Sequence, residues 1–273
     1  MTTVGGALAD ARARGIALLD AQLLLARALA TTRTALIAGD DRRLAPEEDA
    51  RWSAWLARRA AGEPLAYLLG EKEFHGLVLE INADVLVPRP ETELVVDWAA
   101  ELIDSASAPA VVDLGTGSGA IALALKRLRP AAQVTATDTS AKALAVARRN
   151  AGRSGLAIEL VEGSWWGAVA ERRFDVAVAN PPYVAAGDPH LAEGDLRHEP
   201  RQALTPGGDG LGALRVIVDG ARAHLVPGGV LAVEHGFDQS DAVQALFAAA
   251  GAIDVRRRRD LAGHWRVAEG RWR

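Results

Sequence analysis

Asn180-Pro181-Pro182-Tyr183 follows directly on the apolar run Phe174-Asp175-Val176-Ala177-Val178-Ala179. The tetrapeptide offers an amide oxygen, a carbonyl on a residue with no N–H, and an aromatic plane. Two acceptors beside a stacking face suit one kind of object, a planar group carrying –NH2. The competing reading is a polar turn with a restrained backbone. Placement favours the first. A short apolar run stopped by two prolines reads as a buried strand that ends there. The corner therefore stands at the carboxyl end of a strand, where open α/β sheets form their ligand crevices.

Upstream lies a Gly-rich stretch, Asp113-Leu114-Gly115-Thr116-Gly117-Ser118-Gly119, joining a strand to a helix that starts at Ala120. Glycines let the backbone pass close to a ligand, and a nucleotide-like cofactor can then lie against the helix N-terminus. The loop alone leaves NAD and S-adenosylmethionine both open, since Ala120 is an allowed third small residue of a dinucleotide fingerprint. Asp113 suits a cofactor with a cationic amino-acid tail better than a pyrophosphate. Asp138 ends the next strand, where a carboxylate can accept from both ribose hydroxyls. With the Asn-Pro-Pro-Tyr corner, these two acids favour the methyl donor.

Other candidates are weaker. The six histidines (His75, His190, His198, His224, His235, His264) show no i, i+4 pair and no ligand spacing. No metal site is expected, although His190 and His198 lie in the loop after the corner. Arg256-Arg257-Arg258-Arg259 reads as a solvated face beside an edge strand rather than a nucleic-acid patch. Glu91 and Glu93 most simply favour a helix start, and Arg89 beside them is a candidate for orienting substrate.

These residues need elements to hold them. At 273 residues the chain suggests one large domain plus a smaller one. Residues 1–70 read as helices. Leu18, Leu19, Leu23, Leu24 and Leu25 form an apolar stripe, and Pro46-Glu47-Glu48 opens a helix with Trp52, Trp55 and Leu56 on its apolar face. Residues 71–90 read as a hairpin linker. Phe74, Leu77, Leu79 and Ile81 alternate with polar neighbours, Asn82-Ala83-Asp84 supplies the turn, Val85 and Val87 follow, and Pro88-Arg89-Pro90 is a stiff joint. Residues 91–273 alternate strand and helix, which implies a Rossmann-like α/β fold with a mostly parallel sheet and helices on both faces.

Composition narrows the class. Apolar residues make up 49% of the chain, enough for a sizeable core. Charged residues interrupt every candidate membrane span. Met1-Thr2-Thr3-Val4-Gly5 lacks the design of a signal peptide. The absence of cysteine excludes disulfides, thiolate zinc sites and a cysteine nucleophile, and a cytoplasmic location is expected. A net charge of -4 argues against a general nucleic-acid binder.

The order of the glycine loop, the acid after the second strand and Asn-Pro-Pro-Tyr resembles class I S-adenosylmethionine-dependent methyltransferases that alkylate an amino nitrogen. Within that class the chain is similar to the HemK/PrmC group, the peptide chain release factor glutamine methyltransferases. Further stretches carry the likeness: Leu69-Gly70-Glu71-Lys72-Glu73-Phe74-His75-Gly76, Val87-Pro88-Arg89-Pro90-Glu91-Thr92-Glu93, Asp188-Pro189-His190-Leu191, Glu199-Pro200 and Asp209-Gly210-Leu211. The resemblance covers nearly the whole chain. It implies methyl transfer from S-adenosylmethionine to the side-chain amide nitrogen of the glutamine in a Gly-Gly-Gln loop, by a monomer whose helical domain docks the release factor. Carried over by position, Gly115, Thr116, Gly117, Ser118, Gly119 and Asp138 bind the cofactor, Trp165 flanks the adenine, and Asn180 faces both methyl donor and substrate. Asn180, Pro181 and Tyr183 carry the catalysis, with Pro182 and Arg89 also on the substrate side. Ser164 departs from the family, which often has an acid there, so contact with the adenine amino group falls to backbone or to Glu162. The alternative reading is an adenine amino-group methyltransferase on DNA or RNA. Such an enzyme should add a basic recognition domain, and residues 1–70 offer mixed charge instead.

Overall fold

In the computed structural model, which describes residues 2–103 and 108–273, the chain packs as two units. The first comprises residues up to Glu71 together with Ala192–His198, and the second the remainder.

The first unit is helical: α1 (Val4–Ala13), α2 (Leu18–Ala28), α3 (Arg33–Ala38), α4 (Pro46–Ala60) and α5 (Leu65–Leu69). Local chemistry sets the helix starts. Thr3 Oγ1 accepts from Gly6 N at 3.1 Å and Thr32 Oγ1 from Ala35 N at 3.2 Å, each satisfying a donor that the first turn leaves free. Pro46 opens α4, while Glu48 reaches back to Ala45 N at 2.9 Å. Leu24, Leu25, Trp52 and Leu56 fill the core between the helices. Ala192–His198 belongs here rather than with the α/β residues that flank it in sequence. Asp195 pairs with Arg59 at 2.7 Å, and the Arg197 guanidinium donates to the Ala61 carbonyl.

A hairpin of β1 (Glu71–Phe74) and β2 (Leu77–Glu80) follows, and the second unit begins within it at Lys72. Its turn is His75-Gly76, not the expected Asn82-Ala83-Asp84. Both turn residues have positive φ, 48° and 73°, the two-residue geometry that matches strand twist. Asn82 instead closes a local turn by accepting Asp84 N on its side chain at 2.9 Å. Val85 and Val87 are then buried without joining a strand.

After α6 (Glu93–Leu102) come β3 (Ala110–Leu114), α7 (Ala120–Leu128), β4 (Gln133–Asp138), α8 (Ala141–Ser154), β5 (Glu159–Glu162) and β6 (Phe174–Ala179). The chain continues through α9 (Arg201–Leu204), α10 (Gly212–His224), β7 (Leu225–Glu234), α11 (Ser240–Ala249), β8 (Ile253–Arg259) and β9 (Trp265–Arg271). The seven-stranded sheet has the order β5-β4-β3-β6-β7-β9-β8. β5 to β7 pair parallel, whereas β9 is antiparallel to both β7 and β8. Strands buried on both faces read as continuous apolar runs, and Val111, Val112, Ala177, Val178 and Ala179 are all fully buried. Strand order reverses between β3 and β6, which opens a crevice at their carboxyl ends. The arginine run lies on edge strand β8, where Arg257 pairs with Asp241 and Arg258 with Glu101. Among the described residues, no helix is long and apolar enough to cross a membrane.

Beneath the sheet, α10 packs on Trp166, whose Nε1 donates to the Ile217 carbonyl at 2.8 Å and whose ring stacks on His224 at 4.8 Å. Gly220 makes room for the indole: a Cβ there would sit 2.2 Å from Trp166 Cδ1. Gly→Ala in an open helix stabilises by about 1 kcal/mol. Here overpacking costs about 1–3 kcal/mol or more, and the sign reverses. Gly220→Ala is therefore expected to lower the thermal midpoint, as measured by calorimetry.

Candidate cofactor and acceptor site

The glycine loop crosses from β3 to α7. Gly115 N and Thr116 N both donate to the Thr137 carbonyl on β4, at 2.9 and 2.8 Å, so the loop is pinned over the neighbouring strand. Gly115, Gly117 and Gly119 take φ of 79°, 54° and 85°, values that residues with a Cβ avoid. On α8, buried Asn150 exchanges hydrogen bonds with Glu80 and donates to the Ser118 carbonyl at 2.9 Å. Hairpin and loop are thus fixed by one side chain that sequence reasoning missed.

Asp113 lies under the loop, fully buried. Its Oδ2 accepts from Thr116 Oγ1 at 2.6 Å and from Ala122 N at 3.2 Å, and its Oδ1 has no partner. Burial pushes this carboxyl up to about 7 against the two hydrogen bonds, and nearby Asp138 pushes it further the same way. Asp138, at the end of β4, accepts Gly117 N and Ser140 N, both at 2.9 Å. Burial raises it too, while those N–H donors and Thr139 N act in the opposite sense. Two carboxylates raised by burial make a site that a cation relieves.

A cleft in this unit is walled by Gly115, Gly117, Asp138, Trp165, Asn180 and Pro182. The two adjacent tryptophans part company here. Trp165 lines the cleft and takes a positive φ of 45°, while its partner Trp166 is a core residue. The Trp165 ring lies against the loop: a Cβ on Gly115 would stand 3.0 Å from its Cζ3. Glu162 and Ser164 are exposed and off the cleft wall, and Gly163 between them is on it. The cleft's remaining wall includes Asp84, Val85 and Gln202, which no motif signalled.

At the corner, Asn180 Nδ2 donates to Thr92 Oγ1 at 3.0 Å. Tyr183 is held at both ends. Its hydroxyl donates to Glu234 Oε1 at 3.0 Å, and its carbonyl accepts from Gln239 Nε2 at 2.8 Å. Burial, and then the Glu234 charge, push the Tyr183 hydroxyl upward, so it stays protonated and donating. The ring packs against the core of the sheet; Tyr183 anchors the corner rather than standing free as a stacking plane. Arg89 is also committed, donating to buried Glu199 at 2.5 Å. The second Glu199 oxygen accepts Val87 N at 2.9 Å. His190 pairs with Asp188 at 2.7 Å, and His198 lies in the helical unit.

The donor set fits S-adenosylmethionine: a glycine cradle at a helix start, a ring against it, an unpartnered buried carboxylate oxygen, and an acid at the next strand end. Asp113 gives this fit a readout independent of activity. The folded chain holds its proton up to about pH 7, and the unfolded chain releases it near pH ~4. Asp113 therefore costs no stability below the unfolded value, and stability is lost as pH rises towards 7. The thermal midpoint of Asp113→Asn, relative to the parent protein, is expected to climb between pH 4 and 8 in differential scanning calorimetry. A difference that stays flat would contradict the burial argument.

Comparison with known proteins bears on the family and the fold. Residues 6–70 match the family model described as the PrmC N-terminal domain, and residues 96–222 that of the methyltransferase small domain. The chain is 52% identical over 267 residues to the release factor glutamine methyltransferase of Burkholderia pseudomallei, covering 95% of this chain and 94% of that one. It is 48% identical to that of Bordetella pertussis, covering 99% of each. Among solved structures, a methyltransferase from Pyrococcus furiosus superposes with a TM-score of 0.56 at 22% identity, over 80% of this chain and 98% of that one. The 16S rRNA N2 G1207 methyltransferase of T. thermophilus, in complex with AdoMet and guanosine, gives 0.56 at 19% identity, over 74% and 50%. At that identity both likenesses speak to the fold alone. Nearly full-length identity of about one half decides the family: the chain belongs to the release factor glutamine methyltransferases.

Proposed function

We propose that this protein transfers a methyl group from S-adenosylmethionine to the side-chain amide nitrogen of the glutamine in a Gly-Gly-Gln loop of peptide chain release factors. The observation that carries the reading is a shared wall: Asn180 lines the same cleft as Gly115, Gly117 and Asp138. Acceptor group and cofactor cradle therefore meet in one crevice. The helical unit, whose sequence matches the PrmC N-terminal domain, docks the release factor in this reading.

When bound, the cofactor supplies an electrophilic methyl on a sulfonium. The chain's own residues do the rest. Gly115, Thr116, Gly117, Ser118 and Gly119 would cradle the cofactor, Asp138 would accept from its ribose, Asp113 would compensate its cationic tail, and Trp165 would cover its adenine. An amide nitrogen is a poor nucleophile because its lone pair is delocalised. A general base gives little help, since a neutral amide keeps its protons near neutral pH. Asn180 Oδ1 and the Pro181 carbonyl each accept one N–H of the substrate amide, which turns the lone pair towards the cleft. Pro182 shapes the wall, Tyr183 fixes the turn, and Arg89, locked to Glu199, stiffens the joint behind it. Positioning of this kind is worth up to ~7–11 kcal/mol of barrier. The two oxygen dipoles also stabilise positive charge growing on nitrogen. Once the methyl–sulfur bond has broken in favour of methyl–nitrogen, the amide returns to neutrality by releasing one proton to water.

The direct test is transfer of a tritiated methyl from S-adenosylmethionine to purified release factor, beside a Gln→Ala variant of its Gly-Gly-Gln loop and beside plasmid DNA. Label on the unaltered factor alone is the expected result, and label on DNA would move the chain to amino-group methylation of a base. Asn180→Ala is expected to slow the chemical step about a hundredfold to a thousandfold, while cofactor affinity, measured by calorimetry, changes little.

A further inference from the structure

The role given to Asn180 raises a question of orientation. A carboxamide has two ends of nearly equal size, and only one, Oδ1, accepts the substrate's N–H. Turned the other way, Nδ2 would meet a substrate –NH2 donor to donor. Something buried must decide between the two.

Asn180 Nδ2 donates to Thr92 Oγ1 at 3.0 Å. A threonine hydroxyl has a single proton, and it accepts from Asn180 with its own proton directed elsewhere. The Thr92 hydroxyl reaches the carboxylate of Glu234. Thr92 is 4% exposed and Glu234 fully buried, so bulk solvent does not offer Thr92 an alternative acceptor. Glu234 stands at the last position of β7, two strands along the sheet from β3. Its Oε1 also receives the Tyr183 hydroxyl at 3.0 Å, and its Oε2 has no partner. The loop after β7 adds a second hold on the corner. Gly236 N donates to Gln239 Oε1 at 2.9 Å, which turns Gln239 Nε2 onto the Tyr183 carbonyl at 2.8 Å.

We infer that Glu234 is a positioning residue: through Thr92 it sets which end of the Asn180 carboxamide faces the acceptor, and through Tyr183 it anchors the corner that carries Asn180. The direction of the donors follows from its charge. With Glu234 ionised, protons point from Asn180 to Thr92 to Glu234, and Oδ1 faces the cleft. With Glu234 protonated on its unpartnered Oε2, the charge that holds the Thr92 proton is gone, Thr92 is free to donate to Asn180, and the carboxamide is no longer held with Oδ1 towards the cleft. No covalent step is involved. The inference rests on the reading that Asn180 accepts from a substrate amide.

The surroundings place this switch in the neutral range. Burial raises Glu234 to about 7, hydrogen bonds from Thr92 and Tyr183 and the charge of Arg266 oppose that, and Glu91 adds to it. Burial pushes the neighbouring His235 down, and its Nδ1 lies 2.8 Å from the Gly236 carbonyl. The orienting form is therefore present above the folded value and lost as pH falls through it.

Two measurements test the inference. The first is the side-chain 15N–H signal of Asn180 in the full chain, identified by its absence in Asn180→Ala. It is expected to titrate near neutral pH and to become pH-independent in Glu234→Gln. The second is single-turnover methyl transfer to release factor. Thr92→Val is expected to lower the rate about tenfold or more, the scale of one buried hydrogen bond, with KM and cofactor affinity little changed. Thr92→Ser should restore the rate. An Asn180 signal indifferent both to pH and to Glu234→Gln would overturn the inference, as would Thr92→Val turning over at the parent rate. The NMR arm needs no acceptor. Failure of the parent protein to label release factor would thus count against the proposed function and leave the switch to be judged by that signal.

Discussion

An amide lone pair is delocalised into its carbonyl, and in the proposed reaction the corner at Asn180 offsets this by holding the amide's own hydrogens. In that reading its acceptor oxygens must be rigid, because a neutral amide keeps its protons near neutral pH and a base cannot supply the missing reactivity. Rigidity comes from outside the tetrapeptide. Thr92 holds the side chain of Asn180, Glu234 and Gln239 hold the two ends of Tyr183, and β3 and β7 flank the strand that delivers the corner. Parallel strands ending at a reversal of order give this corner a crevice with the glycine loop on its other side.

That arrangement places charge in poor surroundings. Asp113, Asp138 and Glu234 are all raised by burial, and Asp113 and Glu234 each keep one oxygen without a partner. Buried carboxylates without full compensation cost stability. The three sit beside the cleft or the corner, where shifted groups commonly gather. Glu269 on β9, also raised by burial and with Oε2 unpartnered, shows that such groups are not confined to the site. Trp165 adds a backbone cost of the same kind, since φ of 45° is unfavourable for a residue with a bulky side chain. Site and stability pull in opposite directions here, and the apolar sheet interior supplies the difference.

Much of this was legible in the sequence, for a local reason. The glycine loop, Asp138 and the Asn-Pro-Pro-Tyr corner each follow a strand that its own apolar run announces, so position along the chain gave position in the fold. What stayed hidden depends on pairing across long separations. Thr92 lies 88 residues from Asn180, and Glu234 lies 51 from Tyr183. Neither sits in a pattern that signals contact with the corner. Asn150 reads as one more polar residue near a helix end until its bonds to Glu80 and Ser118 are seen. The hairpin turn was misread because Asn82-Ala83-Asp84 has the commoner turn composition, whereas His75-Gly76 relies on a histidine in the left-handed region. Ala192–His198 follows its neighbours in a reading by sequence, but the Asp195–Arg59 ion pair and the Arg197 hydrogen bond to Ala61 put it with the helical unit instead.

The most direct test is a crystal structure of the protein with S-adenosylhomocysteine and a peptide containing Gly-Gly-Gln. The account predicts the glutamine amide nitrogen within hydrogen-bond distance of both Asn180 Oδ1 and the Pro181 carbonyl. It also predicts the adenine against Trp165 and a ribose hydroxyl on Asp138. A glutamine amide held by other groups, or an Asn180 whose Nδ2 faces it, would contradict the central claim that this corner aims the nitrogen.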